Sequence, residues 1–143
     1  MTEKIMQRIE RIKEHLALLE TLRPECHERF IKDPIYRGAL LHYLYLVADG
    51  CIALAEQTIR KNDLRPPQSY SEAFYILGES GIIPAEFAYN FAPIAGFRNF
   101  LAHDYENVDG MVICSEIMAS LVDVIIFLNY IEEHHTSQHH ELT

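Results

Sequence analysis

Basic charge is scarce in this chain. Its 143 residues carry 12 Lys and Arg against 21 Asp and Glu, a formal net charge of −9. That balance excludes tight, unselective binding of nucleic acid, which draws on a basic surface. It leaves room for a small local basic site, for a transient RNA substrate and for a basic protein partner. Cysteine is sparse as well. Cys26, Cys51 and Cys114 are odd in number and no pair has CxxC spacing. Neither a disulfide framework nor a zinc knuckle is expected, and all three read as buried free thiols in a reducing compartment. The eight histidines form no HExxH or other metal motif, so no metal and no cofactor are expected. There is no glycine-rich phosphate loop and no internal repeat. The opening MTEKIMQRIERIKEH is too charged for the core of a signal peptide, and the unbroken apolar runs fall short of a membrane span. A cytoplasmic protein that does not engage the membrane is expected.

What remains is a single domain with helical punctuation. The length fits one domain with its own core. Ile5, Ile9, Ile12, Leu16 and Leu19 recur at three and four, which predicts a helix over residues 4–22 with one buried stripe; Pro24 ends it. Asp33 before Pro34 is a capping acid followed by proline at the first helical position. The helix it starts runs for about seven turns, and its apolar band (Leu40, Tyr43, Leu44, Val47, Cys51, Leu54) is wide enough to place it at the centre. Gly50 costs that helix about 1 kcal/mol relative to alanine, and close approach of another helix is one reason to tolerate it.

Arg65-Pro66-Pro67 breaks the chain, and Ser69 with Glu72 has capping-box spacing before a short helix that ends near Gly78 or Gly81. Pro84 opens the next segment and Pro93 must kink or interrupt it. Asp109 caps a last long helix. Its many β-branched residues also suit a strand, but its length without a turn signal favours helix. The sum is an all-α, up-down bundle of four or five helices over residues 1–133, followed by a polar flexible tail at 134–143.

The chemistry concentrates in FRNFLAHDY, Phe97 to Tyr105. Asn99 and His103 are four apart and share a helix face; Arg98 and Tyr105 are seven apart and align if the helix lasts that far. Arg98 and His103 do not stack directly. The arginine stem closes part of that gap, and a second copy of the segment across a two-fold axis can close the rest. Histidine exchanges protons near neutral pH. Arginine grips phosphate and offsets charge building on its oxygens. Together they suit attack of an RNA 2′-hydroxyl on the neighbouring phosphate, a reaction that needs no metal. Asn99 can orient His103 or bond the phosphate, and Tyr105 can hold substrate by its hydroxyl or by stacking. The same residues also read as ordinary helix surface, a C-terminal histidine satisfied by the helix dipole, and packing.

IAGFRNFLAHDYENVD resembles the signature of the HepT-like toxins (the DUF86 family) of the HEPN superfamily. The family pattern is R-x4-6-H with a polar residue after the arginine and a tyrosine two past the histidine; Arg98, Asn99, His103 and Tyr105 match it. The order of the long second helix, LRPPQSYSEAFYILGESGIIP, the motif and VDGMVICSEIMASLVDVIIFL extends the resemblance over roughly residues 30–132. It implies a HEPN-like bundle, a homodimer whose two motifs face one cleft, and a metal-independent endoribonuclease with Arg98 and His103 catalytic and Asn99 and Tyr105 supporting. It implies the toxin of a type VII toxin–antitoxin pair, neutralised by a minimal nucleotidyltransferase (MntA-like) antitoxin that attaches AMP to the motif tyrosine, by position Tyr105. Phosphates there would block RNA and occupy Arg98. Beside this stand a non-catalytic helical dimer that binds nucleotide or the nucleotidyltransferase through the same cleft, and a structural subunit with no working cleft. Arg37 reads as exposed or as a phosphate contact, His42 as packed and hydrogen-bonded, and the remaining tyrosines as core or dimer interface.

Overall fold

A computed structural model describes residues 2–142, and the side chains of residues 3–138. Helix α1 (Thr2–Leu22) lays its predicted stripe against α3 (Pro34–Lys61), with Ile5, Ile9, Ile12, Leu16 and Leu19 all buried. A Cβ on Gly50 would stand 2.9 Å from Ile12 Cγ1, so glycine is what lets the two helices close. Between them lies a short helix that the periodicity does not reveal, α2 (Cys26–Lys32), entered through a 3₁₀ turn at Pro24. Asp33 caps α3 as expected: its Oδ1 accepts from the amides of Ile35 and Tyr36, each at 3.1 Å. The Tyr36 hydroxyl donates to the Leu22 carbonyl and ties α3 back to the end of α1.

Helix α4 (Tyr70–Glu79) is capped by Ser69, whose Oγ accepts from the Glu72 amide at 3.1 Å. The Glu72 carboxylate departs from the reciprocal capping pattern, accepting instead from the Gln68 amide and from Arg65. Pro93 divides α5 (Ala85–Phe91) from α6 (Ile94–Asp104), and a 3₁₀ turn, Tyr105–Asn107, follows. Asp109 starts α7, which runs through Gly110–Val112, a π-helical turn at Ile113–Ile117 and Met118–Leu142. The described residues contain no strand, and five of these helices have ten or more residues, the expected all-α bundle. Phe74, Phe91 and Phe127 stack edge and face at 5.0–5.6 Å in the core between α4, α5 and α7.

Two expectations need correction. Cys26 and Cys114 are not free thiols: they form a disulfide between α2 and the π turn, with Cα atoms 5.6 Å apart, while Cys51 alone remains a buried thiol. They are separated by 88 residues, so only the packing of α2 on the start of α7 brings them together. The polar stretch from residue 134 is not a loose tail where it is described. Helix α7 continues through it, His135 is buried, and Asn62 Oδ1 lies 3.1 Å from His134 Nε2 and accepts from Gln138 Nε2 at 2.8 Å. Those side chains are polar because they meet the polar end of α3; the side chains from His139 on lie outside the described residues. The unbroken apolar runs are short, as expected, yet by length and mean composition Pro34–Lys61 and Gly110–Gln138 each match a bilayer span. The apolar window of the first is 56% buried in the bundle, as a core helix requires; that of the second is 39% buried, which leaves α7 with an apolar outer face.

His135 makes stability depend on pH. Burial first, then the charges of Lys61 and His134, push its imidazole from 6.5 down to about 4. The folded value lies below the unfolded one, so the unfolded chain takes the proton first. The contribution is complete above about pH 6.5 and is lost as pH falls toward about 4, at most on the order of 3 kcal/mol. Urea unfolding at pH 7 and pH 4.5 is expected to show a smaller acid loss in His135→Gln than in the parent chain; equal losses would dismiss the assignment.

Candidate active site

Helix α6 has a narrow inner face. Ala95 and Leu101 are buried, Ile94 and Phe97 half-buried, and Arg98 reaches inward beside them toward α3. Its guanidinium is held on three sides: Nε donates to Asp49 Oδ1 at 3.0 Å, Nη2 to the Tyr45 hydroxyl at 3.1 Å and Nη1 to Asn99 Oδ1 at 3.1 Å. The rings of Tyr45 and Tyr70 lie 5.3 and 5.2 Å from its carbon, within cation–π range. The hydrogen bond that Arg98 donates to the Asp49 carboxylate raises its pKa above its already high ordinary value by more than burial lowers it. A guanidinium has five N–H donors. Three are engaged among the described residues, so two remain for an incoming anion, and the side chain is still 17% exposed.

His103 sits in the last turn of α6, exposed and without a hydrogen bond to any described residue. Five residues on a helix turn it about 140° from Arg98. With Gly96, Asn99 and Phe100 it forms a solvent-facing stripe at intervals of three and four, and a Cβ on Gly96 would meet nothing within 4 Å. Within one chain, therefore, the cation and the imidazole leave α6 in different directions. Asn99 serves Arg98 rather than His103. Asp104 does not reach Arg98; its Oδ1 accepts from Asn107 Nδ2 at 2.5 Å. Tyr105 is exposed on the 3₁₀ turn and lines a groove with Gly38 and Leu41 of α3.

Sequence reasoning missed the arginine's holders. Asp49 and Tyr45 are four apart on α3, so an acid one turn from a tyrosine on a mostly apolar helix was the available signal. Tyr70 carried none, because α4 brings it in from another part of the chain. His42 is exposed on the groove rather than packed, and Arg37 is half-buried, with Nη1 donating to the carbonyls of Phe30 and Ile31 at 2.9 and 3.3 Å. On the other side of α6, an apolar cleft of about 210 Å³ opens between α3, α6 and α7, lined by Leu44, Val47, Phe97, Ile117, Leu121 and Val124. Val122 and Ile125 stand exposed on α7.

A family model described as ribonuclease HepT-like matches residues 5–131. An mRNA nuclease HepT from Shewanella oneidensis is 23% identical over 132 residues, spanning 92% of this chain and 98% of that protein. A tRNA nuclease HepT from Aphanizomenon flos-aquae is 25% identical over 134 residues, spanning 92% and 88%. In solved structures, the tri-AMPylated Shewanella oneidensis HEPN toxin in complex with MNT antitoxin matches with a TM-score of 0.83 at 22% identity, covering 93% of this chain and 99% of that one. At that identity the structural likeness establishes the fold.

Proposed function

Since the chain belongs to the ribonuclease HepT-like family, we propose that it is the toxin of a toxin–antitoxin pair, an endoribonuclease that works in the cytoplasm without a metal ion. The observation that carries this reading is Arg98, fixed by Asp49, Tyr45 and Asn99 with two donors still open, on the same short helix as an unengaged His103. His103 takes the proton of an RNA 2′-hydroxyl; that oxygen bonds to the adjacent phosphorus, the bond to the 5′-oxygen breaks, and the leaving oxygen takes a proton from water. The product is a 2′,3′-cyclic phosphate. Arg98 bonds the phosphate oxygens as their charge grows, at no cost of reorientation.

One chain leaves the two groups about 140° apart on α6, so the working site is shared by two copies across a two-fold axis. The outward stripe of Gly96, Asn99, Phe100 and His103 and the apolar cleft beside α7 supply a self-complementary face. The regulatory partner is a nucleotidyltransferase antitoxin, as in the complex of the Shewanella oneidensis toxin. It transfers AMP from ATP to Tyr105: the phenolic oxygen bonds to the α-phosphorus, pyrophosphate leaves and the phenol proton passes to solvent. Exposure of Tyr105 supports this role.

RNA incubated with the purified protein in excess chelator is expected to be cut with cyclic-phosphate ends. Co-expression with the nucleotidyltransferase is expected to add mass steps of AMP and to silence cutting. Tyr105→Phe is expected to remove those steps and leave the nuclease active in the partner's presence. Steps that persist in Tyr105→Phe would move the acceptor elsewhere.

A further inference from the structure

Tyr105 stands between two lobes of one groove that the catalytic motif leaves unexplained. The lobes share Gly38, Leu41 and Tyr105. One, of about 390 Å³, is walled by His42, Tyr45, Leu101 and Ala102. The other, of about 500 Å³, is walled by Ile31, Pro34 and Arg37 among others. Each volume is in the range of sites for small molecules. The first lobe offers a phenol and an imidazole ring, surfaces on which a base can stack. The second offers Arg37. Its Nη1 is spent on the end of α2, but Nε and Nη2 make no hydrogen bond to a described residue. Glu106, the sole acid among the lining residues, sits in the same lobe and opposes the phosphate that Arg37 attracts. The floor is open because residue 38 is glycine: a Cβ there would meet nothing within 4 Å.

We propose that this groove is a nucleoside-monophosphate subsite, with the phosphate at Arg37 and the base in the lobe of Tyr45 and His42. It takes a nucleotide of the RNA chain in the free protein and the adenylate carried by Tyr105 in the modified one. The assignment of those two sources rests on the nuclease reading above; the site itself rests on the groove.

Gly38→Leu tests it. A Cβ at residue 38 meets nothing within 4 Å and a helical position gains a better helix former, so the fold is expected to be kept. Gly38→Ala is the control that leaves most of the groove free. Adenosine 5′-monophosphate titrated into labelled protein is expected to shift the amides of Gly38, Leu41 and Tyr105 saturably in the parent chain and in the alanine variant. Gly38→Leu is expected to abolish those shifts while melting no lower than the parent. In RNA cleavage its KM is expected to rise about tenfold, with the loss falling on KM more than on kcat. Absence of saturable shifts in the parent, or their survival in the leucine variant, would overturn the site. Loss of nucleotide binding with an unchanged KM for RNA would support the site for the tyrosine-linked adenylate and remove RNA from it. Mapped nucleotide binding in a protein that cuts no RNA would sink the nuclease reading and leave the subsite standing.

Discussion

His103→Ala is expected to lower kcat/KM for RNA by about 10²–10⁴-fold, the usual contribution of a positioned proton-transfer group. The melting temperature is expected to stay within a degree or so, since surface substitutions away from structural features change stability little. His103 is exposed at the end of α6 and bonds to no described residue, so its removal leaves no partner stranded. The same cannot be said of Arg98. Its loss leaves the Asp49 carboxylate, the Tyr45 hydroxyl and Asn99 without their shared donor. A fall in activity in Arg98→Ala is therefore mixed with local rearrangement, although a drop of about 10²–10³-fold is the scale for removing one stabilising donor. His103 is thus the cleaner probe of chemistry. Full-rate cleavage by the folded alanine variant, measured in chelator against a short RNA, would end the assignment of proton transfer to this residue.

What could be read from the chain and what could not divide along physical lines. Local signals transferred well. The stripe of α1, the Asp33-Pro34 start of α3 and the Ser69 cap of α4 depend on neighbours a few residues away, and each appears in place. Pro93 divides its segment for an equally local reason. Features set by distant contacts did not transfer. The short α2 has no period of its own and is held by its packing on α3 and by Cys26–Cys114, so spacing between cysteines said nothing. The end of α7 looked like a solvated tail because polar composition does not reveal that Asn62 waits to receive it. The site follows the same rule. Arg98, Asn99, His103 and Tyr105 lie within eight residues and were legible as a pattern. Asp49 and Tyr45, 49 and 53 residues away, decide how Arg98 is aimed and were not.

Mixing two dead proteins is expected to restore life. Arg98 is held against α3 and His103 faces solvent, and in the shared site proposed above the arginine of one copy works with the histidine of the other. In a heterodimer of Arg98→Ala with His103→Ala, one such pair is then wild type in both members and the other lacks both. Random exchange makes about half the dimers mixed, and each carries one of two pairs, so about a quarter of the parent rate should return from two inactive stocks. Pairs formed within one chain predict the opposite. Each copy of the heterodimer would then lack one member, and no activity would return at any mixing ratio. The measurement is initial RNA cleavage after unfolding the two variants together and refolding them, with subunit exchange confirmed by a mass tag on one variant. Exchange without recovered cleavage would rule out the trans pairing and force Arg98 or His103 to reorient within its own chain. The contrast is large because both stocks start near zero, and it needs no knowledge of which RNA the protein prefers.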